Sequence, residues 1–181
     1  MKLNLNKKKN KGFTLVEILL VVGFIALASV GVYTIYSKVQ TANSANAESR
    51  NLDTIRAGIK NLYGASPNYT GITATVVNQA KITPEAMRDA TPAGITNTFG
   101  GTVTIDPVNL GTGTANGFRI TYPLVTDVVC TKLVTTGGAQ FDQVTVGTTV
   151  IKTFGTNKMD PADAAAACNG AAQQTVLFDS L

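Results

Sequence analysis

Two cysteines and a small set of acids are the side chains whose types and spacing could do chemistry in this sequence. The chain contains no histidine, which excludes Ser-His-Asp and Cys-His catalytic arrangements and imidazole metal ligands. Cys130 and Cys168 form no CxxC motif and have no third cysteine as a partner, so we expect no metal. Asp160 and Asp163 lie where a helix is predicted to begin, and we interpret them as helix N-terminal carboxylates. We therefore expect neither enzyme activity nor a cofactor.

A glycine-rich segment, residues 111–117 (GTGTANG), is the remaining pattern that could bind a phosphate. It lacks the GK[ST] ending of a P-loop, and no helical pattern follows it. We interpret it as a turn between two strands.

Glu17 has the most unusual position of the acids, because it lies inside the start of a long apolar run. Residues 18–37 carry no charge, and as a helix they would be ~30 Å long, the thickness of a bilayer core. A charge deep in a membrane helix costs roughly 2.5–3.5 kcal/mol and usually has a partner. A local explanation is a capping box between Thr14 and Glu17, with the carboxylate in the first helical turn. That explanation does not account for the lysine and glycine directly before Phe13.

Basic residues are concentrated in front of this run. The formal net charge is +4, but five lysines and no acid lie within residues 1–12. Without these lysines the chain has ten basic and eleven acidic residues, so we expect no nucleic-acid-binding surface. A basic segment before an apolar run is typical of an exported or membrane-inserted chain whose positive end stays in the cytoplasm.

An ordinary signal peptide is an alternative interpretation of this N-terminus. The tripeptide Ala26-Leu27-Ala28 fits the A-x-A cleavage pattern. Glu17 would interrupt its apolar region, however, and the apolar run continues past the cleavage point through Val32 and Ile35.

Export also bears on the two cysteines. In an oxidising compartment the simplest interpretation of Cys130 and Cys168 is one disulfide, and two buried free thiols are the alternative. A disulfide would close a loop of about 38 residues and contribute roughly 3–4 kcal/mol by loop entropy.

A single helix is predicted to continue from the apolar run into the rest of the chain. Apolar residues recur with the spacing of one helical face at Leu52, Ile55, Ile59 and Leu62. Charged residues, Glu48 among them, are expected elsewhere around this helix, and Gly64 and Pro67 end it. We predict a helix over residues 14–63, apolar on all sides in its first half and amphipathic in its second.

Beyond residue 64 the sequence is typical of a loop followed by strands. Alternating apolar residues predict strands near residues 103–105, 118–122, 141–146, 150–154 and 176–178. Short helices are predicted to start near Pro84 and Asp160, while residues 128–133 fit either a strand or a helix. The order predicts an α+β fold in which an antiparallel sheet packs on the amphipathic half of the helix and the hydrophobic half protrudes.

The segment KGFTLVEILLVVGFIALA, residues 11–28, resembles the class III signal of type IV pilins and their relatives. In that family a short basic leader ends in glycine, the mature chain begins with an apolar residue, and its fifth residue is glutamate. Gly12, Phe13 and Glu17 match these positions. The loop after the long helix and the C-terminal pair of cysteines look like the type IVb group, which is a looser match. The resemblance implies the pilin fold.

The resemblance also implies processing and a domain organisation. A membrane-embedded prepilin peptidase would cleave after Gly12, and the new terminus at Phe13 would be N-methylated. The chain would have four segments. They are a leader (1–12), a hydrophobic transmembrane and assembly helix (13–37), an amphipathic half of the helix that packs on the head (38–63), and a globular head (64–181). The head would contain an αβ-loop, an antiparallel sheet and a disulfide-bounded C-terminal region.

By the same resemblance, the chain would be a structural subunit of a type IVb pilus. Its length and single compact head favour the major subunit over large tip adhesins. Its partners would be further copies of itself, prepilin peptidase and the pilus assembly machinery of the inner membrane. Glu17 of one subunit would neutralise the Phe13 amine of the next. The chain would lie in the inner membrane of a Gram-negative bacterium before assembly and in an extracellular pilus afterwards. The alternatives are a minor pilin, a secretion pseudopilin, or a signal-anchored or secreted binding domain that does not polymerise.

Overall fold

One long helix and a five-stranded antiparallel sheet are the main elements of the structure, a computed structural model that describes residues 12–89, 94–156 and 158–181. The chain divides into two compact units, one that ends at Val39 and one that runs from Gln40 to Leu181. The α-helices are α1 (Leu15–Leu62), α2 (Ala74–Gln79), α3 (Asp127–Gly137) and α4 (Pro161–Cys168). The strands are β1 (Thr104–Val108), β2 (Gly117–Thr126), β3 (Gln143–Val146), β4 (Thr149–Lys152) and β5 (Gln173–Ser180).

The α1 helix matches the single helix predicted for residues 14–63 within one residue at each end. It contributes its first part to one unit and its second part to the other, because the division falls between Val39 and Gln40. In the second part Leu52, Ile55 and Ile59 are fully buried in the core, as the helical spacing predicts. The prediction was wrong for Leu62, which is 46% exposed because it is the last residue of the helix and lies beyond the buried stripe.

The sheet has the strand order β1-β2-β5-β3-β4, and all of its strand pairs are antiparallel. The last strand of the chain is therefore the central one, where Phe178 pairs with Ile120 on one side and Val144 on the other. The predicted hairpin is present as β3 and β4. The glycine-rich segment 111–117 connects β1 to β2, so it is a connection between strands as predicted.

Two helices, α2 and α3, form in segments whose residue types also suit strands. The residues 128–133, which fit either element, lie in α3, directly after β2. The α2 helix was not predicted, because its two adjacent valines suit a strand better than a helix. It forms because Thr73 caps it by accepting a hydrogen bond from the Val76 N–H (3.3 Å) and because Val77 is buried in the core.

A disulfide joins two helices of the head, α3 and α4. Cys130 in α3 is bonded to Cys168 at the end of α4, and both residues are buried. Asp160 caps α4 by accepting a hydrogen bond from the Ala162 N–H (2.8 Å), as the helix-start pattern predicts. The bond therefore fixes α4, and with it the start of β5, to the helix that follows β2.

Replacing both cysteines by serine is expected to lower the free energy of unfolding by about 3–4 kcal/mol, because the loop that the disulfide closes becomes unconstrained in the unfolded chain. Urea unfolding of the full chain in detergent, followed by tyrosine circular dichroism, would measure the change. Reduction of the unaltered chain should give the same loss. A change smaller than about 1 kcal/mol in both samples would contradict this assignment.

Candidate assembly site

The first part of α1 presents apolar side chains in every direction. All described side chains from Phe13 to Gln40 are exposed. Among the described residues, α1 is the one helix that is long and apolar enough to cross a membrane, with a mean hydropathy of 2.6 over its most apolar stretch. Soluble proteins rarely expose an apolar surface of this extent. This segment is therefore a site for contact with lipid or with protein.

One face of this segment is a shallow apolar groove of about 520 Å³. Phe24, Ala28, Val32 and Tyr36 follow one another at intervals of four residues along it, and Ser29 and Tyr33 line it as well. The Ser29 hydroxyl donates a hydrogen bond to the Ile25 carbonyl (2.8 Å) within the same helix, so it presents little free polarity. Such a face can pack against an acyl chain or against a second helix.

Glu17 is the acid of this segment, and its carboxylate is exposed in the first turn of α1. Thr14 caps the helix: its hydroxyl and its carbonyl oxygen both accept a hydrogen bond from the Glu17 N–H, at 3.3 and 3.0 Å. A full capping box would also have the glutamate carboxylate return to the Thr14 N–H. Within the described part of the chain that return bond is not formed, so capping leaves the Glu17 carboxylate available to a partner.

The predicted cleavage point lies directly before this helix. Gly12 and Phe13 are exposed and lie just before the start of the helix. Residues 1–11 of the predicted leader lie outside the described residues, so cleavage after Gly12 and methylation at Phe13 stay predictions, as does the assembly role of Glu17.

Sequence reasoning missed a second acid of α1, Glu48, which is fully buried in the head. Its carboxylate accepts hydrogen bonds from the Thr98 N–H (2.8 Å), the Thr98 hydroxyl, the Tyr122 hydroxyl and the Asn51 amide (3.3 Å). The prediction that Glu48 lies away from the core was wrong. Its spacing could have shown this, because it precedes Leu52 by four residues and Ile55 by seven, on the same helical face.

The Glu48 carboxylate changes the chemistry of the phenol beside it. Burial raises the pKa of Tyr122 well above its ordinary value, and the nearby Glu48 charge and its hydrogen bond raise it further. A buried carboxylate is tolerable only when hydrogen-bond donors replace its hydration. Here the donors come from the segment before β1, from β2 and from α1 itself, so one side chain connects three parts of the head.

Two further contacts attach the second part of α1 to the head. The hydroxyls of Ser49 and Thr136 are hydrogen-bonded at 2.9 Å, which joins α1 to α3. Arg56 donates a hydrogen bond to the Ser180 hydroxyl (3.1 Å) at the end of β5, and its guanidinium lies 5.6 Å from the centre of the Phe141 ring. These contacts and the Glu48 cluster position α1 against both the helical layer and the sheet.

Solved structures show the same arrangement of elements. The crystal structure of TcpA, a type IV pilin from Vibrio cholerae El Tor biotype, matches 77% of this chain and 99% of that one with a TM-score of 0.59 and 18% identity. The type IVb pilin from Salmonella typhi matches 74% of this chain and 97% of that one, also with a TM-score of 0.59 and with 19% identity. The chain therefore has the type IV pilin fold.

Sequence comparison then places the chain in a family. A profile of the family described as PilS N terminal matches residues 42–181, and the chain belongs to that family. Two relatives are named major structural subunit of bundle-forming pilus. The one from Escherichia coli O127:H6 (strain E2348/69 / EPEC) is 27% identical over 91% of this chain and 90% of its own length. The one from Escherichia coli O111:H- is 28% identical over 72% of this chain and 67% of its own length.

Replacing Glu48 by alanine is expected to lower the free energy of unfolding of the full chain by about 2–4 kcal/mol, because buried donors of Tyr122 and Thr98 would lose their acceptor. Urea unfolding in detergent would measure the loss. Glu17→Ala is the matched control, and it should change head stability by less than about 0.5 kcal/mol because that side chain is exposed. Equal losses in the two variants would contradict the role of the buried carboxylate.

Alkaline pH should destabilise the head through Tyr122. Because its pKa is raised in the folded state, its contribution to stability is complete below the pKa of an unfolded tyrosine, about 10, and is lost as the pH rises above that value. Tyr122→Phe should therefore reduce the loss of stability between about pH 8 and pH 11, by up to about 1.4 kcal/mol per pH unit above 10. An unchanged pH dependence in Tyr122→Phe would contradict this expectation.

Proposed function

We propose that this chain is the major structural subunit of a type IVb pilus and that it polymerises through the first part of α1. The observation that carries the proposal is the apolar segment from Phe13 to Val39, whose described side chains are all exposed, in a chain with the type IV pilin fold and a PilS N-terminal match. The two relatives named as major subunits of a bundle-forming pilus support the same function. The role is structural rather than enzymatic.

The exposed segment has to be covered in two successive environments. Before assembly its length suits the hydrocarbon core of the inner membrane, with Tyr33 and Tyr36 near its far end as interfacial rings. After assembly the same segment would be covered by the helices of neighbouring copies in an extracellular filament. A helix that is apolar on all sides serves both, because neither environment supplies water to it.

Processing would supply a positively charged partner for the Glu17 carboxylate. Cleavage after Gly12 by prepilin peptidase would remove the lysine-rich leader and leave a single amine at Phe13, which is then N-methylated. An amine and a carboxylate that are both removed from water attract each other more strongly than in solvent, and either one alone is costly to bury. Pairing the Phe13 amine of one subunit with Glu17 of its neighbour would therefore make docking depend on cleavage and would set the axial register.

Partners and location follow from this sequence of events. The chain would interact with prepilin peptidase and the pilus assembly machinery in the inner membrane, and then with copies of itself. Adhesion, aggregation and conjugation are all uses of such a filament, and no motif of this sequence selects among them.

Replacing Gly12 by valine is expected to block cleavage, because a branched side chain would replace the glycine at the position the peptidase recognises. Mass spectrometry of the chain from membranes and filaments would give its N-terminus. The unaltered chain should begin at methylated Phe13, and the variant should keep its leader and stay in the membrane. A mature terminus at Ser29, or at Met1 in the filament, would contradict the proposal.

Glu17→Ala is expected to leave cleavage after Gly12 intact but to reduce filament yield at least about tenfold, because the buried amine of the neighbour would have no counter-charge. Sheared filaments counted by electron microscopy, with mass spectrometry of the membrane fraction, would separate assembly from processing. Ser29→Ala is the matched control on the same helix, since its hydroxyl is bonded within α1. Normal filament yield from Glu17→Ala would reject the pairing while leaving the pilin assignment intact.

A further inference from the structure

Two Asn-Gly pairs of the head lie in opposite structural environments. Asn169-Gly170 follows α4, and Asn116-Gly117 precedes β2. An asparagine before glycine can lose its side-chain amide, because the backbone nitrogen of a residue without a β-carbon can reach the side-chain carbonyl carbon unhindered. Whether it does so in a folded protein depends on how freely the local backbone opens.

Asn169 is held weakly. It is the C-terminal cap of α4, with φ −87° and ψ 4°, and both Asn169 and Gly170 are exposed. Its N–H donates to the Ala165 and Ala166 carbonyls at 3.1 and 3.3 Å. Its side-chain amide has no hydrogen-bond partner among the residues that the structure describes. Ring closure requires rotation about ψ of Asn169. The exposed residues 169–171 lie before the first hydrogen bond that holds this turn to α3, in which the Asp127 N–H donates to the Ala172 carbonyl (3.3 Å), and before strand pairing, which begins at Gln173.

Asn116 is held firmly at the same dipeptide. Its side-chain oxygen accepts a hydrogen bond from the Leu110 N–H and its amide donates to the Leu110 carbonyl, both at 2.8 Å. Gly117 is buried and pairs with Val108 in the sheet. Attack at Asn116 would require both side-chain bonds and the start of β2 to open together.

We propose that Asn169 is a site of spontaneous deamidation and that Asn116 is protected by the fold. In the first step the Gly170 nitrogen bonds to Cγ of Asn169, the bond from Cγ to Nδ2 breaks, and the amide leaves as ammonia with the proton from the Gly170 N–H. In the second step water opens the resulting succinimide at either carbonyl, which gives aspartate or isoaspartate. No oxidant, metal or enzyme is needed.

The product would change the surface on which it forms. Asn169 lines a shallow cleft of about 340 Å³ between α3 and α4, together with Asp127, Val128 and Thr131. A new carboxylate there would add to the charge of Asp127 and would face the negative end of the α4 dipole. The isoaspartate form would also lengthen the backbone between Cys168 and β5. In a long-lived filament modified subunits would accumulate; that consequence rests on the proposed function, whereas the modification does not.

Incubation of the full chain in detergent at neutral to mildly alkaline pH, in water labelled with ¹⁸O, would test the proposal. Tryptic peptide mapping by mass spectrometry should show label and loss of ammonia at Asn169 at least about ten times faster than at Asn116. In urea, with the disulfide reduced, the two sites should react at similar rates, because the fold no longer protects either.

Gly170→Ala is the variant that isolates the chemistry from folding. A β-carbon at Gly170 would lie 3.4 Å from Nε2 of Gln174 and 3.6 Å from the Ala167 carbonyl, which are ordinary contacts, so the head should fold normally. The same change at Gly117 would bring a β-carbon to 2.7 Å from the Ser180 carbonyl and is unsuitable. Gly170→Ala should slow the reaction at Asn169 several-fold. Equal native rates at Asn169 and Asn116, or no reaction at Asn169 after both sites have reacted in urea, would overturn the proposal.

Discussion

The apolar first part of α1 is the constraint on which the rest of this protein depends. Every described side chain from Phe13 to Gln40 is exposed, so no described residue of the chain covers this segment. A bilayer and a bundle of neighbouring helices are the two environments that can cover a helix that is apolar on all sides. The head must therefore be stable without any contribution from this segment, and its core is built from residues beyond Val39, beginning with the fully buried Ala45.

The second part of α1 meets this requirement by combining apolar and polar burial. Leu52, Ile55 and Ile59 supply the apolar stripe, and Glu48 adds a carboxylate whose hydrogen bonds reach Thr98 and Tyr122. Apolar packing tolerates small rotations of a helix, whereas a buried carboxylate must keep each of its donors. The Glu48 cluster therefore fixes the rotation of this part of α1 against β2 and the segment that precedes β1.

Periodicity in the sequence was sufficient for α1, for the hairpin and for the central strand, because each has a repeating pattern tied to one buried face. It was insufficient for α2 and α3, whose valines also favour strands. The α2 helix has Thr73 as its cap, and α3 buries one helical face that contains Val129, Cys130, Leu133 and Val134. Glu48 was placed wrongly because charge was given more weight than its position on the buried face. The pattern around Gly12, Phe13 and Glu17 is different, because its proposed role is in contacts with partners, and such contacts do not show in the fold of one chain.

The proposed polymerisation of this chain through paired charges is tested most directly by a helical reconstruction of the purified filament by electron cryomicroscopy. The Phe13 amine of each subunit should lie within about 4 Å of the Glu17 carboxylate of a neighbouring subunit, in a core of packed α1 segments. A filament in which Glu17 faces solvent, or pairs with the amine of its own chain, would contradict it.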